Sequence, residues 1–245
     1  MEETLRGFRA RTILDVGPGY ANFGRVAARI TGAAKITYLD YNETILTWQK
    51  NACEKAGIAA ESMTMLLNPD NLFRLSAMYD LILCQEVLEH LADAEAVLTR
   101  LAEHLAPAGR MVVTVPTKCS ERWLKRLNPS YMRDEPQGHV REFDRRDIEA
   151  ILAAASLRPL VLIPTQPHFF LSHAWLALTR MKLDGATGKV LTGGIRYRLW
   201  GILNEYSRRF FLLTGPDWWG RLLPRNYFVV AVKAAAADAA LEVTP

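Results

Sequence analysis

A short apolar run that turns through two glycines into a helical pattern is the feature that most constrains this chain. The run covers residues 12–16, the glycines are Gly17 and Gly19, and the helical pattern covers residues 22–31. A glycine turn between a strand and a helix lets the backbone approach a ligand closely and presents helix N–H groups to it. The full glycine fingerprint of dinucleotide-binding folds is absent. The turn therefore predicts an α/β unit that binds a different ligand.

The alternation of strand and helix patterns continues through the first two thirds of the chain. Predicted strands cover residues 11–16, 35–39, 62–67, 79–84 and 109–115. Predicted helices cover residues 22–31, 43–56, 94–105 and 144–155. Asp93 and Asp144 are expected N-caps, and Gly32 and Gly57 stand where helix C-terminal glycines are expected. This alternation favours βαβ units and a mostly parallel sheet.

Polar residues stand at or just after the predicted strand ends. They are Asp15, Asp40, Asn68 and residues 84–86. In an open α/β sheet, ligands bind at the carboxyl ends of the strands, beside the point where the strand order reverses. These residues are distant in sequence, yet we expect them to converge on one crevice.

Composition fits one α/β domain with a substantial core. The chain has 245 residues, of which 50% are hydrophobic and 23% charged, a balance that argues against disorder for most of it. Its three cysteines have no paired spacing, which excludes a disulfide framework or zinc pattern and favours a reducing, cytoplasmic setting. No signal peptide is evident, and no apolar stretch reaches the roughly 20 residues of a transmembrane helix.

The pattern divides the chain into four parts. They are a core over residues 1–164, an insertion over 165–224, a closing strand over 225–233 and a tail over 234–245 that could fray. An insertion of this length far exceeds an ordinary hairpin loop. Little precedes the first predicted strand, so we expect the insertion to act as the lid or the acceptor platform.

Two segments combine cations with aromatic rings, over residues 121–133 and 196–225. The arginines of the second segment are Arg196, Arg198, Arg208, Arg209, Arg221 and Arg225. It could pack on the domain as a lid with its arginines reaching outward. It could also lie on an anionic membrane surface, which would place the protein at the inner face of the membrane. The modest net charge of +4 argues against nucleic-acid binding.

The order of the motifs carries a family resemblance. The segment Asp15–Gly19 resembles the first motif of class I S-adenosylmethionine-dependent methyltransferases, and Lys35–Asp40 is similar to their second strand with its ribose-binding acid. Similar matches follow at Tyr79–Leu91 and Leu105–Pro116, and Gly138–Phe143 resembles the branch that modifies sugars, quinones and natural products. The resemblance implies a Rossmann-like, doubly wound, mostly parallel seven-stranded sheet with a mainly helical insertion before the last strand.

The resemblance also implies S-adenosylmethionine as cofactor. The residues expected to bind it are Asp15, Gly17, Gly19, Asp40, Tyr41, Asn68 and Gln85. Asp40 could accept hydrogen bonds from the ribose diol, and Asn68 could accept one from the adenine amino group, with Asp70 as its rival. Two departures weaken the match, namely Ala21 in place of a third glycine and the Asn68–Pro69 pair in place of an acid and a small residue.

The candidate catalytic residues are His139, Glu86 and His90. Methyl transfer to a hydroxyl needs alignment and removal of one proton, and His139 stands in a loop expected to close over the acceptor. It could equally be a loop histidine that bonds the backbone, and Glu89 with His90 could merely brace a loop. No acid cluster with the spacing of a magnesium site is evident, so we predict no metal.

The predicted reaction is O-methylation of a small or lipid-linked hydroxyl acceptor, such as a sugar in a surface glycan. N-methylation of a small amine is the nearer alternative. A non-catalytic domain that binds S-adenosylmethionine, or a membrane-surface protein, is a further one.

Overall fold

A single twisted sheet organises the chain in a computed structural model that describes residues 1–72, 74–131, 138–179, 195–213 and 222–234. The strands are β1 Thr12–Val16, β2 Lys35–Asp40, β3 Ala59–Thr64, β4 Tyr79–Gln85, β5 Leu105–Pro116, β6 Leu157–Thr165 and β7 Asn226–Lys233. Their order across the sheet is β3-β2-β1-β4-β5-β7-β6. Among these strands, β7 alone runs opposite to the other six. The predicted seven-stranded, mostly parallel sheet is confirmed.

Helices connect the strands and cover both faces of the sheet. They are α1 Glu2–Leu5, α2 Phe23–Thr31, α3 Glu43–Glu54, α4 Pro69–Leu72, α5 Ala94–Glu103, α6 Lys118–Leu127, α7 Arg145–Ala154, α8 Pro167–Thr179 and α9 Ile195–Leu213, with a short 3-10 helix at Leu88–His90. Successive side chains of a strand point to opposite faces. In β4, Ile82 accordingly joins one apolar cluster while Leu81 and Leu83 join another. Burial on both faces explains why β4 reads as a continuous apolar run.

Most of the predicted helix ends are confirmed. Asp144 forms a capping box with Asp147 at the start of α7, and Gly32 ends α2 in the left-handed conformation with φ 77°. Gly57 also has a left-handed φ, of 67°, just after α3. Asp93 precedes α5, but its side chain makes no capping hydrogen bond.

The sequence placed the third strand wrongly. It runs over Ala59–Thr64 rather than residues 62–67, and it is an edge strand paired only with β2 among the described strands. An edge strand half open to solvent carries little apolar signal, so the apolar run from Met63 to Leu67 shifted the prediction toward the C-terminus. The helices α1, α4 and α6 were not predicted.

The insertion between β6 and β7 contributes α8 and α9, which confirms its helical character. The helix α6 packs against α8, and α8 packs against α9. Leu124, Tyr131 and Ala177 form a small buried cluster between α6 and α8. Residues 180–194 and 214–221 of the insertion, and the tail from residue 235, lie outside the described residues. None of the helices described is both long and apolar enough to span a bilayer.

Candidate functional site

The carboxyl ends of β1 and β4 lie side by side, where the strand order reverses. The two strands pair in parallel with Val16 opposite Cys84, and β2 flanks β1 on its other side. Parallel pairing therefore sets the loops that follow these strands side by side at one end of the sheet, where such folds bind ligands. Asp15, Gly17, Asp40 and Gln85 all stand at these strand ends.

The glycine loop lies against the loop that follows β4. Gly17 has φ 60°, and its N–H donates to the Leu39 carbonyl at 2.8 Å. A β-carbon on Gly17 would lie 2.7 Å from Cγ2 of Val87. Position 17 therefore needs glycine both for its backbone conformation and for this contact.

Gln49 lies on α3 and holds the glycine loop in place through hydrogen bonds. The sequence did not predict this role. Its side chain is fully buried. Its amide Nε2 donates to the carbonyls of Gly19 and Ala21, both at 2.8 Å, and Arg25 donates to its Oε1. A signal was available, because Gln49 is a polar residue on the buried face of α3 that also carries Ile45 and Cys53.

Asp15 is buried beneath the same loop. Burial raises the pKa of its carboxyl to about 7, although a hydrogen bond from the Gly24 backbone and the charge of Arg25 both act to lower it. A β-carbon on Gly24 would lie 2.6 Å from Oδ2 of Asp15. Asp15 thus lies against the start of α2, directly after the glycine turn.

Asp40 ends β2 with a buried carboxylate. Its Oδ1 accepts a hydrogen bond from the Asn42 N–H at 2.9 Å. Burial raises the pKa of this carboxyl, and backbone hydrogen bonds from Asn42 and Tyr41 oppose that rise. The side chain of Tyr41 is half exposed beside it. This acid is held in place by its own loop, as a residue that binds a diol would be.

Asn68 does not stand at a strand end, because β3 finishes at Thr64. Its Oδ1 accepts from the Asn71 N–H at 2.7 Å at the start of α4. The oxygen expected to accept from adenine is therefore engaged in a turn. Met65, which follows β3 directly, donates its N–H to the Asp40 carbonyl at 3.0 Å and brings this loop beside the crevice.

Gln85 is the last residue of β4 and is almost fully buried. Its amide Nε2 has no hydrogen-bond partner among the described residues. A buried amide without a partner is costly, so such a group commonly marks the place of a bound molecule. Gln85 therefore fits its predicted place in the cofactor site.

Glu86 follows Gln85 with a left-handed backbone, φ 53°. Its Oε1 accepts hydrogen bonds from Thr114 Oγ1 at 2.8 Å and from Asn226 Nδ2 at 3.0 Å. Burial raises the pKa of this carboxyl, while Arg225 acts in the opposite direction. Glu86 is partly exposed, so it can contact a bound acceptor.

The structure brings His90 and His139 together with Glu89. The two imidazole rings meet edge to face, with centroids 4.9 Å apart. The Glu89 carbonyl accepts from the N–H groups of Val140 and Arg141, which ties the two loops together. Both carboxylate oxygens of Glu89 are buried without a hydrogen-bond partner among the described residues. Burial and the charge of Glu86 raise the pKa of Glu89 well above its usual range.

These three residues offer ligand atoms that all lie within 4.8 Å of one another, close enough to share a metal ion or to surround a polar group of an acceptor. This group is not evident from the sequence, because His139 lies far from the other two residues along the chain. The side chain of His90 is 25% exposed and that of His139 is 4% exposed. His90 therefore forms the open side of the cluster and His139 its inner side.

Glu121 is a further site residue that the sequence analysis missed. It lies on α6, fully buried, and its Oε2 is 3.0 Å from His139 Nδ1. Its Oε1 is 2.9 Å from Nη1 of Arg225. Burial alone would raise the pKa of Glu121, but the hydrogen bond from His139 and the charge of Arg225 hold it at about 2.

Arg225 was predicted to belong to the outward-facing arginines of the basic aromatic segment, and that prediction is wrong. Its side chain is buried in the ion pair with Glu121. The sequence predicts a surface position for an arginine, because it does not show that Glu121, about a hundred residues away, is its buried partner. Arg208 and Arg209 are exposed as expected, and both pair with Glu205.

A profile of the methyltransferase domain family matches residues 2–161. The chain is similar to the ubiquinone biosynthesis O-methyltransferase of Salmonella enteritidis PT4, with 27% identity over 122 residues that cover 50% of this chain and 49% of the relative. The chain thus spans about half the length of this curated relative.

Solved structures with low sequence identity share the fold. The magnesium protoporphyrin IX methyltransferase of Synechocystis PCC 6803, solved with bound SAH, gives a TM-score of 0.54 at 15% identity and covers 95% of this chain and 77% of its own. The cyclase SpnF gives a TM-score of 0.57 at 15% identity and covers 93% and 76%. At this identity the likeness shows the fold alone. The family match covers more than half of the chain, and the chain therefore belongs to the methyltransferase domain family, with the fold of class I S-adenosylmethionine-dependent methyltransferases.

Proposed function

We propose that the protein transfers a methyl group from S-adenosylmethionine to a hydroxyl of a small or lipid-linked acceptor, such as a sugar of a surface glycan. Family membership supports the reaction type. The relative from Salmonella is named as an O-methyltransferase, which supports oxygen as the acceptor atom. The sugar rests on the resemblance of residues 138–143 to the sugar-modifying branch.

Three residues at these strand ends would serve the cofactor. Asp40 would accept from the ribose diol, since an ionised carboxylate accepts on both oxygens. Gly17 would let the backbone approach the ligand closely, and the partnerless amide of Gln85 would donate to the bound molecule. Asp15 would act from beneath the loop rather than by direct contact. We expect Asn68 to contribute less, because its oxygen already accepts from Asn71.

One observation carries the proposed chemistry. Gly17 lies against Val87, so the glycine loop is next to the loop that bears Glu86 and His90. A methyl group held at the first loop would thus face acid and base groups on the second. When bound, the cofactor would supply the methyl group as an electrophile on a positively charged sulfur.

The acceptor oxygen would form the new bond to the methyl carbon as the carbon–sulfur bond breaks, and the hydroxyl proton would pass to the protein. We assign that proton to His139, with His90 as the imidazole that the acceptor meets first. Glu86 would hold a neighbouring hydroxyl. A general base of this kind typically contributes about 10²–10⁴-fold to a rate.

Transfer of a radiolabelled methyl group tests this function. The wild type and Asp40→Ala would be incubated with labelled S-adenosylmethionine and a lipid and glycan extract of the source cell envelope. We expect label in the extract with the wild type only, retained in the presence of EDTA if the predicted absence of a metal holds. Label recovered on amines would favour the N-methylation alternative. Tight cofactor binding without transfer to any acceptor would favour the non-catalytic alternative.

A second, membrane-surface role is favoured by the exposed face of α9. Leu199, Ile202 and Tyr206 recur at helical spacing and are 43%, 53% and 70% exposed. Basic residues accompany them, as anionic headgroups would require. We propose that this face contacts an anionic bilayer from its cytoplasmic side, which would bring the crevice to a lipid-linked acceptor. The lid interpretation remains the alternative.

A further inference from the structure

A buried carboxylate stands directly behind the proposed catalytic histidine. Glu121 is fully buried on α6 and engages both of its oxygens, Oε2 with His139 Nδ1 at 3.0 Å and Oε1 with Arg225 Nη1 at 2.9 Å. The carboxylate is thus held from two sides. An orientation fixed in this way differs from that of a surface ion pair, in which both side chains move freely.

The hydrogen bond between Glu121 and His139 decides which ring nitrogen of His139 carries the proton. An ionised carboxylate only accepts hydrogen bonds, so Nδ1 of His139 must be the donor. The neutral ring then has its lone pair on Nε2, which is the form that can accept a proton from an acceptor. We propose that Glu121, anchored by Arg225, is a positioning residue that fixes the orientation and the tautomer of the His139 ring. The inference rests on the proposed function for the role of His139 as base.

The anchor of Glu121 is built into the end of the insertion. The Arg225 N–H donates to the Thr165 carbonyl at 3.1 Å, and the Arg225 carbonyl accepts from the Thr117 N–H at 2.9 Å and from Ser120 Oγ at 3.0 Å. These bonds join the first residue after the insertion to the last residue of β6 and to the start of α6. The residue that anchors Glu121 is therefore itself held by backbone hydrogen bonds to β6 and α6.

The variant Glu121→Gln makes a sharp prediction because Arg225 has only donors. The new amide must turn its oxygen to Arg225 and its NH₂ group to Nδ1 of His139. Nδ1 then has to accept, and the ring proton moves to Nε2, which removes the base. The matched control is Glu142→Gln. Glu142 pairs with Lys125, which lies on α6 like Glu121, and the ion pair does not involve His139.

Nitrogen-15 NMR of labelled histidines tests the inference without any acceptor. Spectra are recorded with EDTA present, so that no stray metal ion occupies the rings, and the His139 signals are identified by their loss in His139→Asn. We expect the Nδ1–H tautomer in the wild type and in Glu142→Gln, and the Nε2–H tautomer in Glu121→Gln. An Nε2–H tautomer in the wild type overturns the proposal even if the variant fails to fold. An unchanged tautomer in a folded Glu121→Gln also overturns it.

The methyl-transfer assay with the envelope extract separates this proposal from the proposed function. Glu121→Gln should lower the rate by about 100-fold or more while S-adenosylmethionine binding stays within twofold. A changed tautomer with an unchanged rate overturns the positioning role, because His139 would then not be the base. Absence of transfer by the wild type would contradict the proposed function instead, and the NMR result would still decide the geometry.

Discussion

Asp15 combines full burial with a charge that the surrounding residues only partly compensate. Its pKa is raised to about 7 from an ordinary value of 3.8, mainly because burial disfavours the ionised form. The folded protein therefore binds more protons than the unfolded chain between these two values. Asp15 stabilises the fold fully below about pH 4, and this contribution is lost as the pH rises through 7.

Asp15→Asn should remove this pH dependence. Between pH 4 and pH 8 the unfolding free energy of the wild type should fall by up to about 4 kcal/mol relative to the variant, since one pKa unit corresponds to about 1.4 kcal/mol. Urea unfolding at several pH values measures this difference. Asp93→Asn, which alters an exposed acid without a capping hydrogen bond, should retain the wild-type slope. Parallel curves for wild type and Asp15→Asn would show that the burial of Asp15 costs nothing.

Gly17 allows a matched test of the contact between the two loops. Gly17→Ala should destabilise the fold by about 2–4 kcal/mol, because a left-handed alanine costs about 1–2 kcal/mol and the contact with Val87 adds to it. Gly57 has a similar φ but nothing within 4 Å of its added β-carbon. Gly57→Ala should therefore show the conformational cost alone in a denaturant titration.

A Val87→Ala background isolates the steric part of the Gly17 effect. In that background Gly17→Ala should cost about as much as Gly57→Ala, because the methyl groups that obstruct it are gone. Equal costs at positions 17 and 57 in the wild-type background would mean that the loops are not in firm contact.

At the level of single residues, the sequence predicts residues that belong to a recognisable motif. It does not predict residues that act by holding another residue in place. Asp40 and Gln85 were predicted because they end strands in a known order. Gln49 and Glu121 were not, because each acts through a partner that only the fold brings near. Arg225 was assigned to the surface for the same reason.

Helix α9 is the element whose outer face carries the membrane proposal. The helix rests on α8, which rests on α6, so it lies at the outside of this layer. The double variant Ile202→Ser/Tyr206→Ser should bind phosphatidylglycerol vesicles at least tenfold more weakly than the wild type. Co-sedimentation measures this, and wild-type binding should fall at 1 M salt, where the screening length shrinks to about 3 Å.

Leu66→Ser is the control for this experiment, since Leu66 is 63% exposed but follows β3 near the other edge of the sheet. It should leave vesicle binding unchanged. Wild-type binding that is equally strong on neutral phosphatidylcholine vesicles, or unaffected by the double variant, would support the lid interpretation instead.

Elements with a strong apolar pattern were predicted well, and elements formed by tertiary contacts were not. The strands β1, β2 and β4 are buried on both faces, so their apolar runs are unmistakable. The edge strand β3 has weak patterning and was shifted by three residues. Helix α6 was treated as a basic aromatic segment, because its buried residues include Glu121, whose burial depends on Arg225.

At the scale of the whole molecule, the strand order gathers the site from loops spread over most of the chain. Parallel pairing of β1 with β2 and β4 sets Asp40, the glycine loop and Gln85 at one edge. Because β7 is antiparallel, its first residue Asn226 and the preceding Arg225 lie at this same end of the sheet. There Arg225 contacts Glu121 and Asn226 contacts Glu86. The residues proposed to bind the cofactor and those proposed to act as acid and base thus lie on neighbouring loops at the same end of the sheet.

Calorimetric titration of S-adenosylmethionine into the wild type and Asp40→Ala tests the central claim most directly. Micromolar binding by the wild type, weakened at least tenfold by Asp40→Ala, is the predicted result, and tenfold corresponds to about 1.4 kcal/mol. Glu43→Ala, which removes an exposed acid at the start of α3, should bind within twofold of the wild type. A wild type that does not bind, or an Asp40→Ala variant that binds equally well, would contradict the assignment of this crevice to the cofactor.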